Sequence, residues 1–213
     1  KIRKQKERQS FRTSSTIHID CVLYLDLSSC RQEEFPVLEI FGKASSINVR
    51  KVLWTCAELG LEYQQMEYGA GTANSVTSVE FMALNPNAMV PVLRDEHGVL
   101  WESNTICRYL VNRTHRHDLL PTDAMSRAQV EKWMDWQATE LNTAWRYVFM
   151  SLVRQHPHFQ EADNVIASAN QWNRLMTLLD HHLASTGAYV AGPTFTLADI
   201  VLGLSINRWR STP

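Results

Sequence analysis

At Pro121 the spacing of apolar residues changes period, and that change limits what the chain can become. Before it, short apolar runs alternate with stretches of helical spacing; after it, apolar residues recur only at three and four. A chain patterned this way builds a small α/β unit followed by a helical one. The first apolar run, at 37–41, closes at Gly42 and reads as a strand covered on both faces. Val49, Val52, Leu53, Cys56 and Ala57 then predict a helix over 47–59 that stops at Gly60. A strand within 62–68, a short helix over 77–84 and the Asn85-Pro86-Asn87 turn follow. Two strands, 90–93 and 99–101, flank an expected four-residue turn, Asp95-Glu96-His97-Gly98, and Ser103 opens another amphipathic helix. The order is β-α-β-α-β-β-α.

Beyond Pro121 the spacing predicts one long helix from Val130 through Val148, ended by Pro157, and a second from Val165 to Leu183, stopped by Gly187. Thr196-Leu-Ala-Asp199 has reciprocal capping-box spacing, with Phe195 and Ile200 placed as a hydrophobic staple, so a third helix starts there. The expected organisation is an α/β unit over 37–114, a linker over 115–121 and a helical unit over 122–213. The first 36 residues are read as an extension, beginning with a solvated arm rich in Lys and Arg. The apolar stretch 200–209, so close to Pro213, predicts a further segment that covers it.

With 45% hydrophobic and 20% charged residues the chain has the composition of a folded protein. A net charge of -1 gives no global field for a nucleic-acid backbone or an anionic membrane, so neither is expected as a partner. No apolar stretch approaches the roughly 18 residues of a spanning helix. Cys21, Cys30, Cys56 and Cys107 form no CxxC pair, which argues against a disulfide scaffold and structural zinc and for a reducing, cytoplasmic compartment. Cys56 and Cys107 fall on apolar helix stripes and are expected in the core. The eight histidines show no metal-binding grouping. His156, His158, His181 and His182 are read as helix-end or surface residues.

Three places suit chemistry, and each has a plainer account. Ser46 lies between a strand end and a helix start, where free N–H groups favour an anion such as a thiolate, yet Ser45 or Ser46 also suits an N-cap. Pro91 inside an apolar strand implies a cis turn that frees the Val90 backbone for an extended peptide, or an edge strand. Glu102-Ser103-Asn104, where a strand becomes a helix, can hold an ammonium and a carboxylate together, or can simply cap.

Taken together these segments carry a resemblance. Ser46-Ile-Asn-Val-Arg-Lys-Val52, Asn85-Pro-Asn-Ala-Met-Val-Pro-Val-Leu93 and Trp101-Glu-Ser-Asn-Thr-Ile106 resemble the active-site, cis-proline and glutamyl-recognition segments of glutathione S-transferases. The likeness is to the bacterial serine-type, theta-like or nu-like sort. Glu131-Lys-Trp-Met-Asp-Trp136 and Thr196-Leu-Ala-Asp199 resemble the family's helical signatures, so the likeness spans 37–209. The resemblance implies a thioredoxin-like glutathione-binding domain, an all-α substrate domain whose last helices are missing here, and a homodimer. It implies Ser46 as donor to the glutathione sulfur, with Ser45 and Asn48 as alternatives, and Met89, Val90, Pro91, Glu102, Ser103 and Asn104 as glutathione-binding residues. Arg146 is the candidate for the second-substrate pocket. Glutathione is then the co-substrate, a small electrophile the acceptor, and no metal is needed. Disulfide or peroxide reduction, or a non-catalytic glutathione-binding module, are the alternatives. The loop at 69–75 lacks the charged residue the family often offers to the glycyl carboxylate.

Overall fold

The computed structural model describes residues 38–213; the readings that concern 1–37, including Cys21 and Cys30, lie outside the described residues. Four strands form one mixed sheet in the order β2-β1-β3-β4. β1 (Leu38–Phe41) runs parallel to β2 (Tyr63–Met66), so the chain crosses over through α1 (Ile47–Leu59). Gly60 ends α1 at φ 64°, and the next N–H, that of Leu61, reaches back to the Cys56 carbonyl at 3.0 Å. α2 (Val79–Leu84) is capped by the Ser78 hydroxyl, which accepts from Phe81 N–H at 3.2 Å.

β3 (Val92–Asp95) and β4 (Gly98–Trp101) are both antiparallel to their neighbours. β3 begins two residues later than the apolar run suggested, after Pro91, which has no N–H for a ladder. The hairpin is also tighter than the expected four-residue turn. Asp95 pairs directly with Gly98, and the Asp95 carboxylate accepts the His97 N–H at 2.9 Å inside the two-residue loop. α3 (Ser103–Arg113) follows at once.

After α3 the chain is helical. α4 (Ala124–Trp136) continues through a π turn (Gln137–Leu141) into α5 (Asn142–Leu152). The expected single helix is therefore widened at Gln137, whose side chain is fully buried and hydrogen-bonded at both ends. It also stops before Pro157, where Gln155 turns left-handed at φ 48°. α6 (Ala162–Thr186) ends at Gly187 with φ 72°. α7 (Leu197–Ser211) opens on the expected capping box. One Asp199 oxygen takes the Thr196 N–H at 2.8 Å and its hydroxyl at 2.9 Å, and the other takes the Val190 N–H at 2.8 Å.

α1 sets the architecture, because it packs on α3 on one side and on α7 on the other. One continuous apolar core runs from Leu38 and Ile40 through Val52, Ile106 and Leu110 to Met134, Leu179 and Val201. Cys56 and Cys107 sit in it, fully buried, and burial pushes their thiols up to about 12 and about 11. On the other face of the sheet Phe41, Phe81 and Val92 form a smaller cluster, with Tyr68 stacked 4.9 Å from Phe81. Among the described residues no helix is long and apolar enough to cross a membrane.

Candidate functional site

Three segments far apart in sequence converge where β1 ends and α1 begins. A cleft of about 70 Å³ is lined by Asn48 from the first turn of α1, by Asn85, Met89, Val90 and Pro91, and by Glu102 and Ser103 at the start of α3. Gly42 permits this convergence. A Cβ there would lie 2.5 Å from Val49 Cγ2 and 3.0 Å from Val90 Cβ, and its φ of 143° disfavours any side chain.

The Val90–Pro91 peptide is cis. Among the described residues the Val90 N–H and C=O have no hydrogen-bond partner, so both are open to an extended ligand. The turn before them is built by Asn85, only 2% exposed. Its amide donates to the Met89 carbonyl at 2.8 Å, and its oxygen accepts from the Asn87 N–H at 3.0 Å. The turn at Asn85-Pro86-Asn87 was expected from the sequence, whereas the place of Asn85 in the cleft lining was not. Met89 itself is 62% exposed.

Glu102 holds the N-cap of α3 at φ 74°, a left-handed conformation rare outside glycine. Its side chain makes no capping bond, and it lies exposed beside Ser103 at the mouth of the helix. Free N–H groups at that helix start and an uncommitted carboxylate give adjoining sites for a negative and a positive charge.

The first turn of α1 divides the three candidates for the sulfur partner. Ser46 is half-buried, its N–H donates to the Lys43 carbonyl at 3.0 Å, and its hydroxyl makes no cap bond, so the simple N-cap role is not used. Asn48 lines the cleft, whereas Ser46, at the residue before α1, is not among the residues that line it. Ser45 is exposed and lines a different cavity, of about 230 Å³, together with Arg50 and Arg208. Arg146 is exposed and is not among the residues lining that cavity.

Asn104 faces a buried network instead of the cleft. Its amide donates to the Met134 carbonyl at 2.8 Å, and its oxygen accepts from Lys51 Nζ at 3.2 Å. Lys51, 1% exposed, also donates to Gln137 Oε1 at 2.6 Å, and Gln137 passes the chain on to Asn142 and Trp145. Burial lowers the Lys51 ammonium to about 8, and the nearby Arg208 cation adds to the effect. The network ties the residue after Ser103 to the π turn. Sequence spacing carried no sign of it, since its members come from five separate elements.

A larger cavity of about 370 Å³ lies between α6 and α7, lined mainly by apolar groups such as Met176, Leu183 and Ile206, and lacks converging acid or base groups beyond Asp180. His182, near the end of α6 as one of the two readings had it, holds the Val190 carbonyl at 2.7 Å and packs on Trp133. Among the described residues no cluster of His, Cys, Asp and Glu is arranged to hold a metal ion.

Known proteins resemble this chain in fold and sequence. The family model described as "Glutathione S-transferase, N-terminal domain" matches residues 36–112. "Glutathione S-transferase GstB" of Escherichia coli is 37% identical over 172 residues, 78% of this chain and 80% of the relative. The theta class glutathione S-transferase of Xanthomonas axonopodis pv. citri, solved with glutathione bound, superposes with a TM-score of 0.76 at 35% identity, covering 84% of each chain. "Elongation factor 1-gamma 2" of Oryza sativa is 32% identical over 169 residues, 78% of this chain but 38% of that relative.

Proposed function

Because this chain belongs to the glutathione S-transferase family, we propose that it binds glutathione in the cleft beside Pro91 and activates its thiol for attack on a small electrophile. The observation that carries the reading is the convergence of Asn48, Val90, cis-Pro91, Glu102 and Ser103 on one cleft. The tripeptide backbone adds to the open N–H and C=O of Val90 as a short strand. The γ-glutamyl carboxylate takes the N–H groups and hydroxyl at the start of α3, and its ammonium takes the Glu102 carboxylate. Asn104 supports this end from behind through Lys51 and Met134.

The sulfur then lies at the start of α1, where the uncommitted Ser46 hydroxyl donates to it. A thiol near pKa 8.5 is mostly protonated at neutral pH; lowering it by about two units takes roughly 2.7 kcal/mol. A hydrogen bond to a charged acceptor supplies roughly 1.5–3 kcal/mol, and a helix N-terminus roughly 0.3–1 kcal/mol more. The two together match the need. Disulfide or peroxide reduction would use the same thiolate. Exposed Val79, Met82 and Met89 offer an apolar surface for the homodimer that the family relationship suggests.

Titration of bound glutathione by its thiolate absorbance tests the reading. The expected result is an apparent pKa about two units below that of free glutathione, restored to the free value in Ser46→Ala and retained in Ser45→Ala. Loss in Asn48→Ala with retention in Ser46→Ala would move the role to Asn48. A second reading, a glutathione-binding module without catalysis, draws on the likeness to the elongation factor subunit. It predicts binding with an unshifted thiol.

A further inference from the structure

A second cavity at the start of α1 is lined by Ser45, Ile47, Arg50, Phe149, Asn207 and Arg208, among others. Arg208 is its centre. The guanidinium carbon stands 4.3 Å from the Trp145 ring centre and 4.3 Å from that of Phe149, in the corner where the two rings meet edge to face. Arg154 lies against the same Phe149 ring at 5.6 Å. Elsewhere in the fold Arg94, Arg108, Arg113, Arg116 and Arg127 each pair with a carboxylate. Among the described residues Arg208, Arg50 and Arg154 have no such partner, nor do Arg146, Arg174 and Arg210, but of these only Arg50 and Arg208 line this cavity. Burial draws the Arg208 pKa down to about 10, and the charges of Arg154 and Arg50 push it the same way. It remains a cation at neutral pH.

Three crowded guanidinium groups, one of them half-buried and fixed in place, are an arrangement that an anion relieves. We infer that the second substrate of this protein is an electrophile carrying a carboxylate or similar anionic group, held by Arg208 and Arg50 in the cavity beside Ser45. This rests on the transferase reading above for the reaction, though not for the binding. The apolar lining from Ile47, Val153 and Leu204 suits a compact hydrocarbon body, and the anion end fixes which carbon faces the sulfur.

A matched pair of aryl chlorides separates the possibilities: 4-chloro-3,5-dinitrobenzoate and its carboxamide. In both, the glutathione sulfur forms a bond to the ring carbon bearing chlorine, chloride leaves with the bonding electron pair, and the thiol proton passes to solvent. After division by each compound's uncatalysed rate with glutathione, the acid is expected to show a kcat/KM about tenfold or more above the carboxamide. Arg208→Gln should bring that ratio close to one, and Arg50→Gln, at an exposed position, should lower it several-fold. A ratio near one in the unaltered protein, or one untouched by either change, overturns the inference. So does a raised KM for glutathione with the ratio preserved, which would assign the arginines to the glycyl carboxylate of the tripeptide.

Binding is read separately, with unreactive 3,5-dinitrobenzoate and the quenching of tryptophan fluorescence, since Trp145 stacks on Arg208. Quenching by the acid that is lost in both arginine variants supports the anion site even if neither chloride is turned over, in which case only the transferase reading fails. Equal quenching by 3,5-dinitrobenzamide overturns the anion site.

Discussion

Raising the pH from 7 to 9 should stabilise the folded chain through Lys51. In the unfolded chain this lysine keeps its proton to about pH 10.5, whereas burial in the folded chain lowers it to about 8. Between those values the unfolded state binds more protons, so stability rises with pH; below about 8 both states are protonated and the contribution is flat. The full shift corresponds to about 3 kcal/mol, and the part gained between pH 7 and 9 is about 1 kcal/mol. That is about 2–4 °C in Tm for a chain of this length. Cys56 and Cys107 act in the opposite sense from about pH 8 upward, because their folded thiols hold protons that the unfolded ones release, and only a comparison between proteins that share both cysteines isolates the Lys51 part. The measurement therefore stops at pH 9 and compares the protein with Lys51→Met. The variant loses the donor to Asn104 Oδ1 and Gln137 Oε1, at a cost of about 1–3 kcal/mol for each bare oxygen, and also loses the buried charge. Those effects oppose one another at pH 7, so the slope carries the test. Urea unfolding at pH 7, 8 and 9 should give a stability difference that grows in favour of the unaltered protein by about 1 kcal/mol. Parallel pH profiles for the two proteins would refute the assignment of the buried ammonium.

Other changes have defined outcomes. Gly42→Ala should destabilise by about 1–3 kcal/mol, from a Cβ forced against Val49 and Val90 at a positive φ, and should weaken glutathione binding; thermal melts and calorimetric titration measure both. Asp199→Ala removes the acceptor for the Thr196 and Val190 N–H groups and should cost about 2–3 kcal/mol in urea unfolding, with Asp199→Asn recovering part of it. Glu39→Gln breaks an exposed pair with Arg94 and should shift stability by less than about 1 kcal/mol, within reach of the same assay.

The local punctuation of this fold was legible in its residues. Gly60, Gly187 and the Thr196–Asp199 box end or begin helices where their chemistry requires. Pro91 gave the cis turn as one of two readings, but the late start of β3 behind it was missed. The π turn at Gln137 was not legible, because one extra residue leaves an apolar stripe still spaced at threes and fours. The candidate site was legible as segments, since Val90, Pro91, Glu102 and Ser103 do line one cleft with Asn48. Asn104, by contrast, turns to Met134 and Lys51, and the second cavity is furnished by Arg208 instead of Arg146. Those facts depend on which helix passes behind α1, and no spacing within one segment encodes that.

The position of α1 between α3 and α7 has a practical corollary for anyone wishing to trim this protein. Cutting at the stretch before Ala124 would strip α7 from the helix that presents Ser46 and leave the Lys51 ammonium facing solvent, with Gln137 gone. The excised front portion would keep every residue lining the cleft beside Pro91 yet lose the backing that fixes their spacing. A minimal glutathione-capturing reagent made from this chain therefore has to retain its helices through Ser211.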